Sequence, residues 1–213
     1  MTPGIWRLLA AIPIGLLLGA FSAFGDGLRG DTPLHVVVAL ANAAGPWFVV
    51  AFAAGALQSR PLTGAGAGLL TLVLAVGAYY AGIYAGGHTV AELGRALAAW
   101  SAVAVVVGPV LGACGAAWST AGQPRRAQAV GVLAGALLAE AVFRLVQHQF
   151  WTGIDLAATD AQVAVVDAVL ALVAPLVLLR ERRTAAYALA VLLGSVGATA
   201  IWGVTELARG AVA

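Results

Sequence analysis

The chain has 213 residues, of which 62% are hydrophobic and 9% charged, and its formal net charge is +2. Soluble domains carry about 25% charged residues. A mean hydropathy of +0.98 therefore indicates an integral membrane protein and argues against a soluble or nucleic-acid-binding domain. All 11 basic residues are arginine, which excludes retinal or pyridoxal cofactors held through a lysine Schiff base. With Cys114 as its one cysteine, the chain has neither an internal disulfide nor a cysteine-based metal site.

Apolar stretches separated by short polar turns run through the whole chain and predict one all-α membrane domain, residues 1–213. Each stretch is close to the ~20 residues that a bilayer-spanning helix needs. The first is retained rather than cleaved as a signal peptide, because its apolar run is too long for one. The seven predicted spans are roughly 5–24, 34–57, 65–85, 96–118, 127–149, 162–179 and 185–207. Residues 86–95 and 151–161 are predicted to be loops.

The arginines are distributed unevenly between the two ends of this seven-helix bundle. Three lie on the side opposite the N-terminus, and Arg144 lies inside a span. The N-terminal side carries the other seven: Arg7, Arg60, Arg125, Arg126, Arg180, Arg182 and Arg183. Because cytoplasmic loops are enriched in arginine and lysine, we expect a cytoplasmic N-terminus, an external C-terminus and a place in the plasma membrane.

A polar stripe runs along the fifth predicted span. Glu140, Arg144 and His148 are spaced at i, i+4 and i+8, so they lie on one helix face. A charged residue at the centre of a membrane costs ~2.5–3.5 kcal/mol on insertion scales. The stripe is therefore either a functional site or an internal ion pair between Glu140 and Arg144, and the sequence leaves both interpretations open.

Further polar and aromatic residues fall in the outer halves of the other spans. Asn42 and Asp167 are too deep to belong to an interfacial belt, and Trp47 follows a Gly45-Pro46 pair that should deform its helix. Aromatic residues in the outer third are Tyr79, Tyr80, Tyr84, Trp100 and Trp202. Together they predict a polar, aromatic-lined cavity in the outer half of the bundle. The alternative is that the aromatic residues only form the belt at the membrane surface.

Small residues predict where the helices approach closely. The glycines expected to do this are Gly64, Gly66, Gly68, Gly131, Gly135, Gly194 and Gly197.

The chain lacks the common catalytic motifs: HExxH, GxSxG, a Walker loop, CxxC and an aspartate-rich pair for magnesium and diphosphate are all missing. We therefore expect no metal and no cofactor. What remains is a buried carboxyl, a basic partner and an aromatic wall. A carboxyl can serve as a general acid, and aromatic faces stabilise cations. This combination suits protonation of an alkene or epoxide, and it equally suits proton-coupled transport or binding of a small ligand.

The segments ANAAGPW at 41–47 and GAYYAG at 77–82, with a lone glutamate in the fifth span, give the chain a family resemblance. It resembles small seven-span bacterial membrane proteins that include the membrane-bound cyclases of indole sesquiterpenes, of the drimentine and xiamycin kind. The resemblance implies metal-independent, acid-initiated cyclisation of a farnesylated indole or its epoxide. It implies Glu140 as the first candidate acid and Asp167 as the second.

The function that we expect is that of a membrane terpene cyclase acting on a lipophilic substrate within the bilayer. Glu140 is its acid, and Arg144 and His148 tune that acid. The expected substrate-binding residues are Asn42, Trp47, Tyr79, Tyr80, Tyr84, Trp100, Arg144, His148 and Trp202. The alternatives are a small-molecule transporter or the substrate-binding subunit of a vitamin importer, and a structural membrane protein whose charges only pair.

Overall fold

The structure is a computed structural model, and every regular element in the parts of the chain that it describes is an α-helix. It describes the backbone of residues 3–27, 40, 43–87, 89–150 and 156–210, and the side chains of 5–25, 40, 43–87, 89, 93–94, 96–145 and 161–200. The helices are α1 (Pro3–Leu9), α2 (Ala11–Gly27), α3 (Ala44–Ala56), α4 (Pro61–Ala85), α5 (Val90–Thr120), α6 (Gln123–Phe150), α7 (Leu156–Leu178) and α8 (Arg183–Gly210).

Six helical stretches are long and apolar enough to cross a membrane. They are Ile5–Gly25, Pro61–Ala85, Ala96–Thr120, Gln123–Leu145, Ala161–Leu178 and Arg183–Ala200. The 13 residues of α3 are equally apolar but rise only ~20 Å, short of the ~30 Å hydrocarbon core. The prediction of an all-α, multi-pass membrane protein is therefore confirmed, with six or seven helices apolar enough to span.

Several helices extend beyond the predicted spans. Residues 90–95 form the first turns of α5, and residues 156–161 the first turns of α7, so the loop predictions for both stretches are wrong. The physical reason is that hydropathy marks where a helix leaves the hydrocarbon. A helix continues wherever its backbone hydrogen bonds are satisfied, whether or not its residues are apolar.

The first span is divided in two at Ala10. Pro13 has no backbone N–H, so the carbonyl of Leu9 loses the partner that it would have four residues later, and α1 ends there. A backbone carbonyl in the last turn of α1 accepts a hydrogen bond from a residue elsewhere in the chain. The buried amide of Gln58, just after α3, donates a hydrogen bond of 2.8 Å to the carbonyl of Arg7.

Helix α6 is the centre of the bundle. It contacts α3, α5, α7 and α8, and 56% of its span is buried, against 22–39% for the other five spans. Gly131 and Gly135 let α8 approach it. A Cβ atom on Gly131 would lie 3.0 Å from the carbonyl oxygen of Ala186, and one on Gly135 would lie 2.7 Å from the Cβ of Leu193. The residues that carry the polar stripe therefore belong to the most enclosed helix.

A second close contact joins α4 and α5. Gly64 and Gly68 face Gly108 and Gly112, and a Cβ on Gly108 would lie 2.9 Å from the carbonyl oxygen of Gly68. Glycine-mediated approach of this kind brings helix backbones into van der Waals contact in membranes. Gly194 and Gly197 similarly meet Leu138 and Ala139 of α6. Six of the seven glycines predicted to permit close helix approach are thus confirmed in that role. Gly66 does not have it, because the nearest atom to a Cβ placed there is Leu8 Cδ1 at 4.0 Å.

We expect Gly112→Ala to destabilise the bundle by about 1–3 kcal/mol, because the new methyl group would overlap the Gly64 carbonyl oxygen and overpack three helices. Gly77→Ala is the matched control, since nothing lies within 4 Å of a Cβ at that helical position. Denaturant unfolding in detergent would measure both variants. Equal stability of the two would contradict the close packing of α4 on α5.

Candidate functional site

Helix α3 begins in the middle of a predicted span. Ala43 is extended, with φ −81° and ψ 146°, and α3 starts at Ala44. The deformation predicted around Gly45-Pro46 is thereby confirmed, although Asn42 itself lies outside the described residues. Pro46 removes one N–H from the first turn, but the N–H of Ala44 still needs an acceptor. Ala43 has no side-chain group that could accept it. In hydrocarbon, an unsatisfied N–H costs several kcal/mol.

Glu140 of α6 supplies that acceptor. Its Oε1 accepts a hydrogen bond of 2.8 Å from the N–H of Ala44 and one of 2.9 Å from Nε of Arg144. The carboxyl group thus caps α3 from another helix, where the aligned peptide dipoles favour negative charge. The predicted Glu140–Arg144 pair is confirmed. Glu140 is 7% exposed, and its other oxygen, Oε2, accepts no hydrogen bond from a described residue.

Asp167 of α7 reaches the same turn of α3. A Cβ atom placed on Gly45 would overlap Asp167 Oδ1 and lie 2.8 Å from Asp167 Cγ, so this carboxyl requires glycine at position 45. Asp167 is fully buried, and neither of its oxygens accepts a hydrogen bond from a described donor. The charged groups that act on it are Glu140 and Arg144. The sequence presents the two acids as separate candidates, whereas the fold makes them neighbours.

Four of the predicted aromatic residues form a connected cluster. Trp47 contacts Tyr79 and Trp100, with ring centroids 6.3 Å and 6.0 Å apart, and Tyr79 meets Tyr80 edge-to-face at 4.9 Å. The indole N–H of Trp47 donates a hydrogen bond of 3.2 Å to the buried hydroxyl of Ser22 on α2. Tyr84 has no ring contact among the described side chains. The side chains of His148 and Trp202 lie outside them.

A cleft of about 540 Å³ lies between α3, α5 and α6. Glu140 and Arg144 are the ionisable groups in its lining, and both face it from α6. The described residues that line it are Ala44, Phe48, Ala99, Trp100, Val103, Val107, Ala136, Glu140, Phe143 and Arg144. At its edge on α5, Ala99 is exposed, and so is Trp100 with 37% of its surface accessible.

Only some of the predicted site residues line the cleft. Trp100, Glu140 and Arg144 line it. Trp47, Tyr79 and Tyr80 are not among its lining residues, although Trp47 contacts Trp100 and Tyr79 contacts Trp47, so their role in substrate binding stays a prediction. Asp167 lies behind Glu140 and is likewise outside the lining.

Sequence reasoning missed two aromatic residues of the lining, Phe48 and Phe143. Phe143 is three residues after Glu140, on the same helix face, and that spacing is a signal that could have found it. No comparable signal leads from the polar stripe to Phe48. No group of three or more histidine, cysteine, aspartate or glutamate side chains that could hold a metal occurs in the described part of the chain.

We expect Glu140→Gln to lower the free energy of unfolding by about 1.5–3 kcal/mol, because it removes the charged acceptor of the Arg144 hydrogen bond. Adding Arg144→Met to that variant should restore part of the loss, since the buried guanidinium is then gone as well. Thermal unfolding in detergent, read as a double-mutant cycle, measures the coupling. Strictly additive effects of the two substitutions would show that the pair contributes nothing.

Comparison with curated proteins found no match, and comparison with solved structures found none either. A family model does match, and it covers residues 1–209, almost the whole chain. On that evidence the chain belongs to the family described as "Family of unknown function (DUF6518)".

Proposed function

We propose that this protein is an integral membrane terpene cyclase that starts the cyclisation of a prenylated, farnesyl-indole type substrate by protonating it. The observation that supports this proposal is the composition of the cleft. One carboxyl, Glu140, and its partner Arg144 share a lining that is otherwise apolar and includes three aromatic side chains, Phe48, Trp100 and Phe143. An acid can generate a carbocation by protonating the substrate, and neighbouring aromatic faces can stabilise that cation.

The chemical steps balance without a metal, an oxidant or a reductant. Glu140 gives its proton to one carbon of an alkene, whose π electron pair forms the new C–H bond, or to an epoxide oxygen, whose lone pair forms the new O–H bond. In the epoxide the C–O bond then breaks and its electron pair stays on the oxygen, and in both cases the electrons of the broken O–H bond stay on the Glu140 carboxylate. The carbocation that remains is attacked by the next alkene. The product cation finally loses a proton to the carboxylate. The aromatic faces in the cleft stabilise the cation by their quadrupoles. Arg144 holds the Glu140 carboxyl in place through Oε1, which leaves Oε2 for the chemistry.

The size and position of the cleft suit such a substrate. A volume of about 540 Å³ falls within the ~300–1,000 Å³ of typical small-molecule sites. Ala99 and Trp100 are exposed at its edge on the outer surface of the bundle. A lipophilic substrate can therefore enter sideways from the bilayer, between α5 and α6. Asn42, His148 and Trp202 belong to this proposal as further substrate contacts in the outer half of the bundle.

A second candidate function is a small-molecule transporter, or the substrate-binding subunit of a vitamin importer. The observation that favours it is the start of α3 within the membrane, because transporters place their substrate sites at helices interrupted at mid-membrane. In this chain the N-terminus of α3 is already occupied by Glu140, so a substrate anion would have to compete with that carboxylate. Uptake of a labelled substrate by vesicles distinguishes this candidate from the cyclase.

The proposal includes an orientation in the plasma membrane. Helix α3 and the residues before it make up the second of seven spans, and the N-terminus is cytoplasmic. The seven-to-three division of the arginines supports this. Within this arrangement the cleft opens in the outer half of the bundle.

Reporter fusions at Arg126 and Arg182 should report the cytoplasm, and a fusion at Ala213 should report the exterior, because an odd number of spans puts the two termini on opposite sides. Alkaline phosphatase and fluorescent-protein fusions, which are active on opposite sides of the membrane, give the readout. A cytoplasmic signal at Ala213 would contradict seven spans.

Membranes that contain the protein should convert a farnesylated indole or its epoxide into cyclised isomers of equal mass and different retention time. We expect Glu140→Gln to lower that rate by about 10²–10⁴-fold, the usual contribution of a general acid. Trp100→Leu should change the product mixture, whereas Trp100→Phe, which keeps a ring, should change it less.

The matched control for this assay is Glu181→Gln, which removes an exposed carboxyl between α7 and α8. It should leave the rate unchanged. Full activity of the Glu140→Gln protein would rule out Glu140 as the acid, and the absence of any product from the wild-type protein would count against the cyclase.

A further inference from the structure

The pair of buried carboxyls at the first turn of α3 has fewer hydrogen-bond donors than it needs. We propose that Glu140 and Asp167 hold one proton between them, with the protonated carboxyl of Asp167 donating a hydrogen bond to Oε2 of Glu140. The pair then forms a proton store directly behind the cleft. The inference deepens the proposed function, and its catalytic consequence rests on that function. The shared proton itself can be measured without any substrate.

The first observation concerns the hydrogen bonds that the two carboxyls accept. Two donors at this turn, the Ala44 N–H and Arg144 Nε, are directed at Oε1 of Glu140. The remaining three oxygens of the two carboxyls are buried and accept nothing from a described residue. Buried polar groups in native proteins are nearly always hydrogen-bonded. A proton held by one of the two acids supplies the missing donor.

The second step is proximity. Glu140 Oε1 accepts a hydrogen bond from the N–H of Ala44, and the Asp167 carboxyl lies against the next residue, Gly45, so the two acids meet at consecutive residues of α3. Two ionised carboxylates cannot form a hydrogen bond with each other, because both are acceptors only. Two like charges this close in an apolar site also repel strongly, and such pairs commonly carry one proton. The Gly45 contact leaves the Asp167 carboxyl no room to turn toward α3.

The third step is the surroundings of Asp167. From α6, the charged groups that face it are Glu140 and Arg144. Helix α3, Ala44–Ala56, contains no titratable residue. The described titratable side chains of α8 are engaged elsewhere: Tyr187 donates to the carbonyl of Leu172, and Arg183 donates to the carbonyl of Leu179. Glu140 is therefore the carboxyl partner of Asp167 in the described structure.

The pair has a consequence for the reaction. Because the pair holds one proton, that proton first moves from Asp167 to Oε2 of Glu140, and Glu140 then gives it to the substrate without any water entering the cleft. Asp167 is left as a carboxylate beside Arg144 and the first turn of α3. It takes a proton back when the product cation loses one. Asp167 touches no substrate, so it acts through Glu140 as a positioning residue.

Infrared spectroscopy of the purified protein tests the proposal directly. At neutral pH the wild-type protein should show the carbonyl stretch of a protonated, hydrogen-bonded carboxylic acid, and that band should move to lower frequency in deuterated water. Asp167→Asn should abolish the band, because the amide can replace the hydrogen bond but cannot hold the acidic proton. A wild-type spectrum without the band, or an unchanged band in Asp167→Asn, would overturn the proposal.

A second variant keeps the test decisive if Asp167→Asn does not fold. Gly45→Ala leaves both acids in the chain, but its methyl group must displace the Asp167 carboxyl, so the band should change frequency or intensity. Gly77→Ala adds the same methyl where nothing lies within 4 Å, and it should leave the band unchanged. Identical spectra for wild type and Gly45→Ala would overturn the assignment of the band to this pair.

The two proposals fail in different ways. If the protein shows the band but converts no farnesylated indole, the shared proton is supported and the cyclase function is contradicted. If the protein cyclises its substrate but does not show the band, the cyclase function is supported and the shared proton is contradicted. If both hold, Asp167→Asn should lower the turnover number by about 10²-fold while leaving KM unchanged.

Discussion

One constraint governs this structure: the buried first N–H group of α3 must find an acceptor within the protein. Helix α3 meets it with the carboxylate of Glu140, which comes from a different helix and is itself held by Arg144. Because an unsatisfied N–H in hydrocarbon costs several kcal/mol, the cap fixes the position of α3 against α6. The first turns of α3 line the cleft together with α5 and α6.

The same constraint explains the distribution of polar residues. The ion pair satisfies one oxygen of Glu140 and leaves the other available, so a structural role and a chemical role do not compete for the same atom. The same constraint also explains how the fully buried acid Asp167 is accommodated. It stands against the same helix end that attracts negative charge, on a glycine that leaves it room. Cap, ion pair and second acid form one unit built on three helices.

Much of the fold follows from the sequence because it depends on local patterns. Length and hydropathy reveal the membrane helices, glycine spacing reveals where they approach, and the i, i+4 spacing reveals the Glu140–Arg144 pair. Gly45-Pro46 reveals the interruption before α3. The contact between Glu140 and Ala44 is different in kind, because no local pattern links them. Neither does any pattern place Phe48 in the cleft, or Asp167 over Gly45. These contacts are set by how α3, α6 and α7 pack, which one sequence does not encode as spacing.

The hydrogen bond that caps α3 can form only late in the synthesis of the chain. Ala44 and Glu140 are 96 residues apart, so α3 enters the membrane well before the residue that completes its first turn has been synthesised. At ~5–20 residues per second, the interval lasts roughly 5–20 s. During it, the nascent N-terminal helices must keep α3 near lipid headgroups, water or the insertion machinery. The bundle can close only when α6 arrives, which makes the second half of the chain a folding partner for the first.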